Sequence, residues 1–188
     1  FTYSNKESSR EIVASLNGEI YNYKSLREDL ELKGYYFDTN CDTEIIPPLY
    51  IEYGENFVDK LDGMFAIVLI DNMNNIAFLY SDFLGQKPLY YQYNGTNLTF
   101  SSDLNALLLI SQTNTSNQIN EKTLVDLLKY KSIINPSTIY KDIYSLGASS
   151  QVKFNFKDLS LIERKITNRF TRSVNQNSSN EEESAVTA

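Results

Sequence analysis

Histidine and tryptophan do not occur in these 188 residues, and cysteine occurs once. Without histidine, a Ser-His-Asp triad, a Cys-His pair and a His-rich zinc site cannot be assembled from this chain alone. One cysteine excludes an internal disulfide, and neither a signal peptide nor a bilayer-length apolar run is present. The expectation is a reducing, cytoplasmic setting and no membrane partner. The glycines number seven, and neither GxGxxG nor the GxxxxGK phosphate loop occurs, so a nucleotide cradle is not expected. Positive charge is also short: the net charge is -7 and the pI is near 4.7. A phosphate backbone or an anionic membrane would be repelled, which removes nucleic acid from the partners considered. Chemistry here must use carboxylates, amide side chains, backbone N–H groups, Lys or Tyr, or a group supplied from elsewhere.

What remains is an ordinary globular composition, 41% hydrophobic, long enough for one domain with a core and a tail. The spacing predicts a helix over Tyr23 to Lys33 after Asn22, stopped by Gly34, then a short strand at Gly34 to Phe37. CDTEII predicts a second helix capped by Asp42 or Thr43, kinked at Pro47-Pro48 or effectively starting there. Met64 to Asp71 is a continuous apolar run, as for a strand covered on both faces, answered antiparallel by Ile76 to Tyr80. Pro88 to Tyr93 and Leu98 to Ser101 flank a hairpin turn at Asn94-Gly95. DLNALLLI reads as helix, Gln112 to Asn117 as a polar loop, and Asn120 as the cap of a helix with Leu124, Leu127 and Leu128. Ser137 to Tyr144 and Ser149 to Phe156 suggest short strands. Antiparallel strands and helices in separate runs make the class α+β. The domain is expected over 1–166, with 167–188 a disordered polar tail.

Asn17-Gly18 breaks the pattern. An Asn-Gly pair is the strongest short hairpin signal, yet the sequence after it turns helical within a few residues and no return strand follows. The plain turn and a functional use of the pair both stay open at this point.

Five stretches in order decide the reading: NGEIYN (Asn17 to Asn22), CDTEII (Cys41 to Ile46), LDGMFAIVLID (Leu61 to Asp71), SDFLGQKPLYY (Ser81 to Tyr91) and SSDLNALL (Ser101 to Leu108). Together they resemble the glutaminase domain, a class II amidotransferase, of glutamine-hydrolysing asparagine synthetases, over about Val13 to Arg164. The resemblance implies an N-terminal-nucleophile hydrolase-like fold, a four-layer αββα sandwich with antiparallel sheets, here incomplete at its N-terminus. It implies glutamine as substrate. It also implies that the Asn17 carboxamide and the Gly18 N–H form the oxyanion hole, while Glu19 and Asp42 surround the substrate α-ammonium. Asp82, Gly85, Lys87 and Pro88 reproduce the DxxGxKPLY turn, whose role is expected to be architectural. Where the family has Arg before that Asp, this chain has Ser81, and Asp103 stands where Glu is commoner; both bear on contact with a synthetase domain.

The family nucleophile is an N-terminal cysteine that uses its own α-amino group as base, which is why histidine is dispensable. Phe1 cannot serve, Arg10 does not sit in the family's carboxylate-gripping motif, and Cys41 reads as a small packed residue mid-chain. The start at Phe1 reads as a cut edge, so the chain as given is expected to be inactive and to fold poorly or associate on its own. The synthetase half's SGGxDS loop is absent from these residues; no cofactor is expected in this chain, ATP and Mg being implied for that half, joined in cis or trans. A homo-oligomer is an open option. Two readings stand: a piece of an active glutamine-dependent asparagine synthetase, or a catalytically dead glutaminase-like scaffold or interaction module. Retention of Asn17, Gly18, Glu19 and Asp42 favours the first, since polar groups kept around an idle pocket are costly.

Overall fold

The computed structural model describes residues 1–5, 10–111 and 119–165. In chain order the elements are β1 (Thr2–Asn5), β2 (Arg10–Ile20), α1 (Tyr23–Leu32), a 3-10 turn (Asp42–Ile45), α2 (Ile46–Tyr53), a second 3-10 stretch (Gly54–Lys60), β3 (Gly63–Asp71), β4 (Ile76–Ser81), β5 (Tyr90–Tyr93), β6 (Leu98–Ser101), α3 (Leu104–Ile110), α4 (Glu121–Tyr130), β7 (Ile143–Ser145), β8 (Ser150–Asn155) and β9 (Leu161–Lys165). The strands make two antiparallel sheets, one of six in the order β1-β2-β3-β4-β8-β9 and one of three in the order β6-β5-β7.

Strand alternation sorts the apolar residues into layers. Ile12, Ala14 and Ile20 of β2, Phe65, Ile67 and Leu69 of β3, and Phe78 and Tyr80 of β4 turn one way, onto Leu26 and Leu30 of α1 and Ile46, Leu49 and Tyr50 of α2. The intervening residues Ala66, Val68, Leu79 and Val152 turn the other way, onto Leu89, Tyr91 and Leu146 at the second sheet. That sheet's outer face sends Tyr90 and Ile143 against Leu107 and Leu108 of α3. The result is helix, sheet, sheet, helix: an α+β four-layer sandwich whose central strand β3 is covered on both faces, as its unbroken apolar run predicts.

Local signals explain most boundaries. Asn120 Oδ1 accepts the Thr123 N–H at 3.3 Å and Asp103 Oδ1 accepts the Ala106 N–H at 2.8 Å, each the N-cap of its helix. Pro47 and Pro48 fall in the first turn of α2, where a missing N–H costs nothing. Asn94-Gly95 is a true turn: Asn94 Oδ1 accepts from Thr96 N, Thr96 Oγ1 and Asn97 N at 2.8–3.1 Å.

Several expectations need correction. Gly34 to Phe37 is not a strand; Tyr35 is tied by its hydroxyl to Glu52 and Phe37 lies under the Arg27 guanidinium, so side chains rather than a ladder hold it. Strands β1 and β9 are additional: both are short, β1 is TYSN and β9 is LIERK with three of five residues charged, which leaves little alternation to read. Cys41 is exposed rather than packed. The predicted loop Gln112 to Asn117 and tail Thr167 to Ala188 lie outside the described residues. Among the described residues no helix is long and apolar enough to cross a membrane.

Candidate active site

Asn17 and Gly18 do not form a turn. They lie inside β2, in register with Ala66 and Phe65 of β3, and the strand runs on to Ile20 opposite Gly63. Gly18 is obligatory here: its φ is +135°, and a Cβ would meet the Met64 carbonyl oxygen at 2.0 Å. Phe65, opposite it, gives both backbone groups to Asp82, whose N–H donates to Phe65 O at 2.9 Å and whose Oδ2 accepts Phe65 N–H at 3.0 Å. Phe65 therefore offers Gly18 no ladder bond, as at any non-hydrogen-bonded pair.

The outer edge of this segment is open. The β1 ladder reaches Val13, and Ala14 N–H donates to Phe1 O, but among the described residues no strand pairs with the outer edge beyond that point. Ile20 shows what uses this edge: its N–H donates to Asp42 Oδ2 at 2.9 Å. Asp42 is thus drawn from the start of the 3-10 turn onto the strand that carries Asn17, Gly18 and Glu19. It makes no N-cap bond, contrary to the cap expected of it. Its other oxygen has only long contacts, from Thr43 Oγ1 at 3.4 Å and Cys41 Sγ at 3.7 Å. A carboxylate with one oxygen held by a backbone N–H and the other nearly free can receive a cation.

Asn17 is half-buried, and among the described residues its carboxamide has no hydrogen-bond partner. Glu19, two residues on and facing the same way, is exposed and unpaired among the described residues. The arrangement chemically offers two neutral donors on one strand and two carboxylates beside it. The four predicted residues are brought to one edge, but they line neither of two sizeable cavities. One of about 340 Å³ is bordered by Tyr91, Leu146, Val152 and Glu163. The other, about 610 Å³, lies by Leu26, Leu30, Leu49, Tyr53 and Lys60.

The DxxGxKPLY turn fastens the opposite side of β3. Asp82 is buried and accepts, besides Phe65, the N–H groups of Leu84 at 2.8 Å and Gln86 at 3.0 Å. A Cβ at Gly85 would stand 3.0 Å from the Ala148 backbone. Ser81 is buried, donating to Gly147 O at 2.5 Å and accepting from Ser150 N at 3.0 Å. Lys87 is half-exposed.

One residue with a structural part in this site is not foreseen in the sequence. Glu44, the fourth residue of CDTEII, is 3% exposed. Burial pushes its carboxyl upward, but the Thr39 hydroxyl, the Asp38 and Thr39 N–H groups and the Arg27 charge outweigh that and hold it below the usual range. Its flanking Ile45 and Ile46, both buried, were the available sign that this turn packs inward.

Comparison with known proteins agrees with the architecture. The sandwich superposes on the glutamine phosphoribosylpyrophosphate amidotransferase of B. subtilis, solved with ADP and GMP, with a TM-score of 0.62 over 89% of this chain and 31% of that one, at 15% identity. The fold is therefore that of the N-terminal-nucleophile hydrolase-like amidotransferases. The sequence goes further: residues 4–165 match the glutamine amidotransferase domain family, and the chain belongs to that family. Among curated relatives, it is 35% identical over 135 residues to the glutamine-hydrolysing asparagine synthetase 1 of Bacillus subtilis, covering 72% of this chain and 21% of that protein. It is 45% identical over 97 residues to asparagine synthetase 3 of Arabidopsis thaliana, covering 51% and 16%. The chain thus spans less than a third of the length of these relatives.

Proposed function

We propose that this chain is the glutaminase part of a glutamine-dependent asparagine synthetase, releasing ammonia from glutamine for ATP-dependent amidation of aspartate by a synthetase part. The observation that carries the reading is the bond from Ile20 N–H to Asp42 at 2.9 Å, which gathers Asp42 and Glu19 beside Asn17 and Gly18 on one open strand edge. Attack of a thiolate on the substrate's side-chain amide converts its carbonyl oxygen to an oxyanion. The Asn17 carboxamide, without a partner among the described residues, and the Gly18 N–H are the donors for that charge. One such donor is worth about 3 to 4 kcal/mol when fixed in advance. Asp42 and Glu19 take the α-ammonium. Collapse of the tetrahedral intermediate expels ammonia and leaves a thioester, which water hydrolyses to glutamate. The thiol belongs to a cysteine N-terminal to Phe1 in the family pattern; exposed Cys41, with no α-amine beside it, does not fill that place.

The test is glutamate release by the protein as its gene encodes it. Asn17→Ala should lower kcat about 100-fold to 1,000-fold with a small change in KM, whereas Asp42→Asn should raise the glutamine KM with a smaller effect on kcat. Glutamate release that is indifferent to Asn17→Ala removes the oxyanion assignment. No release at all from the encoded protein supports the scaffold module instead.

A further inference from the structure

Asp42 is reached through a segment with no secondary structure of its own, from Asp38 to Cys41, and all four of these residues are exposed. Something else must fix it. Two side chains do so. From α1, Arg27 Nη1 donates to Thr39 O and to Asn40 Oδ1, the latter at 3.2 Å. From within the 3-10 turn, the Glu44 carboxylate reaches back and accepts three bonds: Asp38 N–H at 2.7 Å, Thr39 N–H at 2.9 Å and Thr39 Oγ1–H at 2.5 Å. Glu44 thereby closes a ring from residue 38 to residue 44 in which Asp42 is a member.

The chemistry suits this role. A buried carboxylate that receives one hydroxyl and two backbone donors forms charge-assisted bonds, and in a site screened from water each is stronger than at the surface. Among the described residues, Glu44 makes no hydrogen bond to a residue of the proposed glutamine site. It lies two positions from Asp42, and its bonds all go to the approach segment.

We propose that Glu44 is a positioning residue for glutamine recognition: by clamping residues 38 and 39 it sets Asp42 onto the Ile20 N–H, with its second oxygen presented to the substrate ammonium. This rests on the glutaminase reading given above. Without the clamp, the Asp42 to Ile20 bond must order the whole segment by itself, and the entropy of that segment is charged against ligand binding.

Glutamine dissociation constants measured by calorimetry on the protein as its gene encodes it test the proposal through a double-mutant cycle. Asp42→Asn should weaken binding about 10-fold to 100-fold, as loss of a charge-assisted contact does. Glu44→Gln, which keeps volume but turns an amide N–H toward bound N–H donors, should weaken it about 10-fold. The double variant should bind within about 2-fold of Asp42→Asn alone, because Glu44 acts through Asp42. A Glu44→Gln protein with unchanged affinity, or a double variant in which the two losses multiply, overturns the proposal. If Asp42→Asn leaves affinity unchanged, the ammonium site is elsewhere, and both the glutamine-site assignment of Asp42 and the role of Glu44 fall. Should Glu44→Gln fail to fold, Thr39→Val removes one exposed donor to the same carboxylate. It should weaken binding about 3-fold in the parent and not at all in the Asp42→Asn background; the same factor in both overturns the clamp.

Discussion

The dipeptide Asn-Gly occurs twice, at Asn17-Gly18 and at Asn94-Gly95, and its two copies do opposite things. At Asn94-Gly95 the asparagine oxygen collects three local bonds and closes the hairpin between β5 and β6, while a Cβ on Gly95 would meet nothing within 4 Å. At Asn17-Gly18 the chain does not turn. The glycine is pressed against the β3 backbone, and the asparagine carboxamide has no partner among the described residues. The first copy holds the chain together with its polar group, and the second leaves its polar group unused by the fold. A carboxamide without a partner among the described residues, on a strand beside a displaced carboxylate, is the place we propose for the ligand contact.

Substitutions sharpen the contrast in a definite order. Gly18→Ala should be the most damaging, at least about 4 kcal/mol, because a Cβ 2.0 Å from a carbonyl oxygen forces β2 and β3 apart within their ladder. Gly95→Ala, at φ +91° but in open space, should cost about 1 kcal/mol from backbone strain alone. A thermal melt followed by circular dichroism gives both values; equal losses would erase the distinction between the two glycines.

The asparagines should order the other way from their importance in function. Asn94→Ala removes the acceptor of three bonds and should lower stability by about 1 to 2 kcal/mol. Asn17→Ala should leave stability within about 0.5 kcal/mol of the parent, as for a surface change that breaks no bond. A melt in which Asn17→Ala is the more destabilised of the two would show that its carboxamide serves the fold.

Much of this was legible in the residues. The apolar run at Met64 to Asp71, the caps Asp103 and Asn120 and the hairpin at Asn94-Gly95 carry local physics, and each sits where that physics puts it. The ordered motifs carried the family and the αββα layering. Long-range contacts were not legible. Asp42 has the residue type, position and neighbours of a helix cap, and only the distant Ile20 N–H, 22 residues away, takes it out of that role. Glu44 likewise reads as a first-turn charge, since nothing local says that its carboxylate folds back onto Asp38 and Thr39. Strand β9 escaped because three of the five residues from Leu161 to Lys165 are charged and it lies at a sheet edge, where alternation is weakly imposed.

The most direct measurement is an amide NMR titration of the protein with glutamine, which reads donor groups without requiring turnover. The Gly18 backbone amide and the Asn17 side-chain NH2 signals should move progressively to saturation, with the Gly95 amide and the Asn94 NH2 unmoved in the same spectra. If glutamine shifts neither Gly18 nor Asn17, or shifts both Asn-Gly pairs alike, then the strand edge at β2 is not where the substrate oxygen is received.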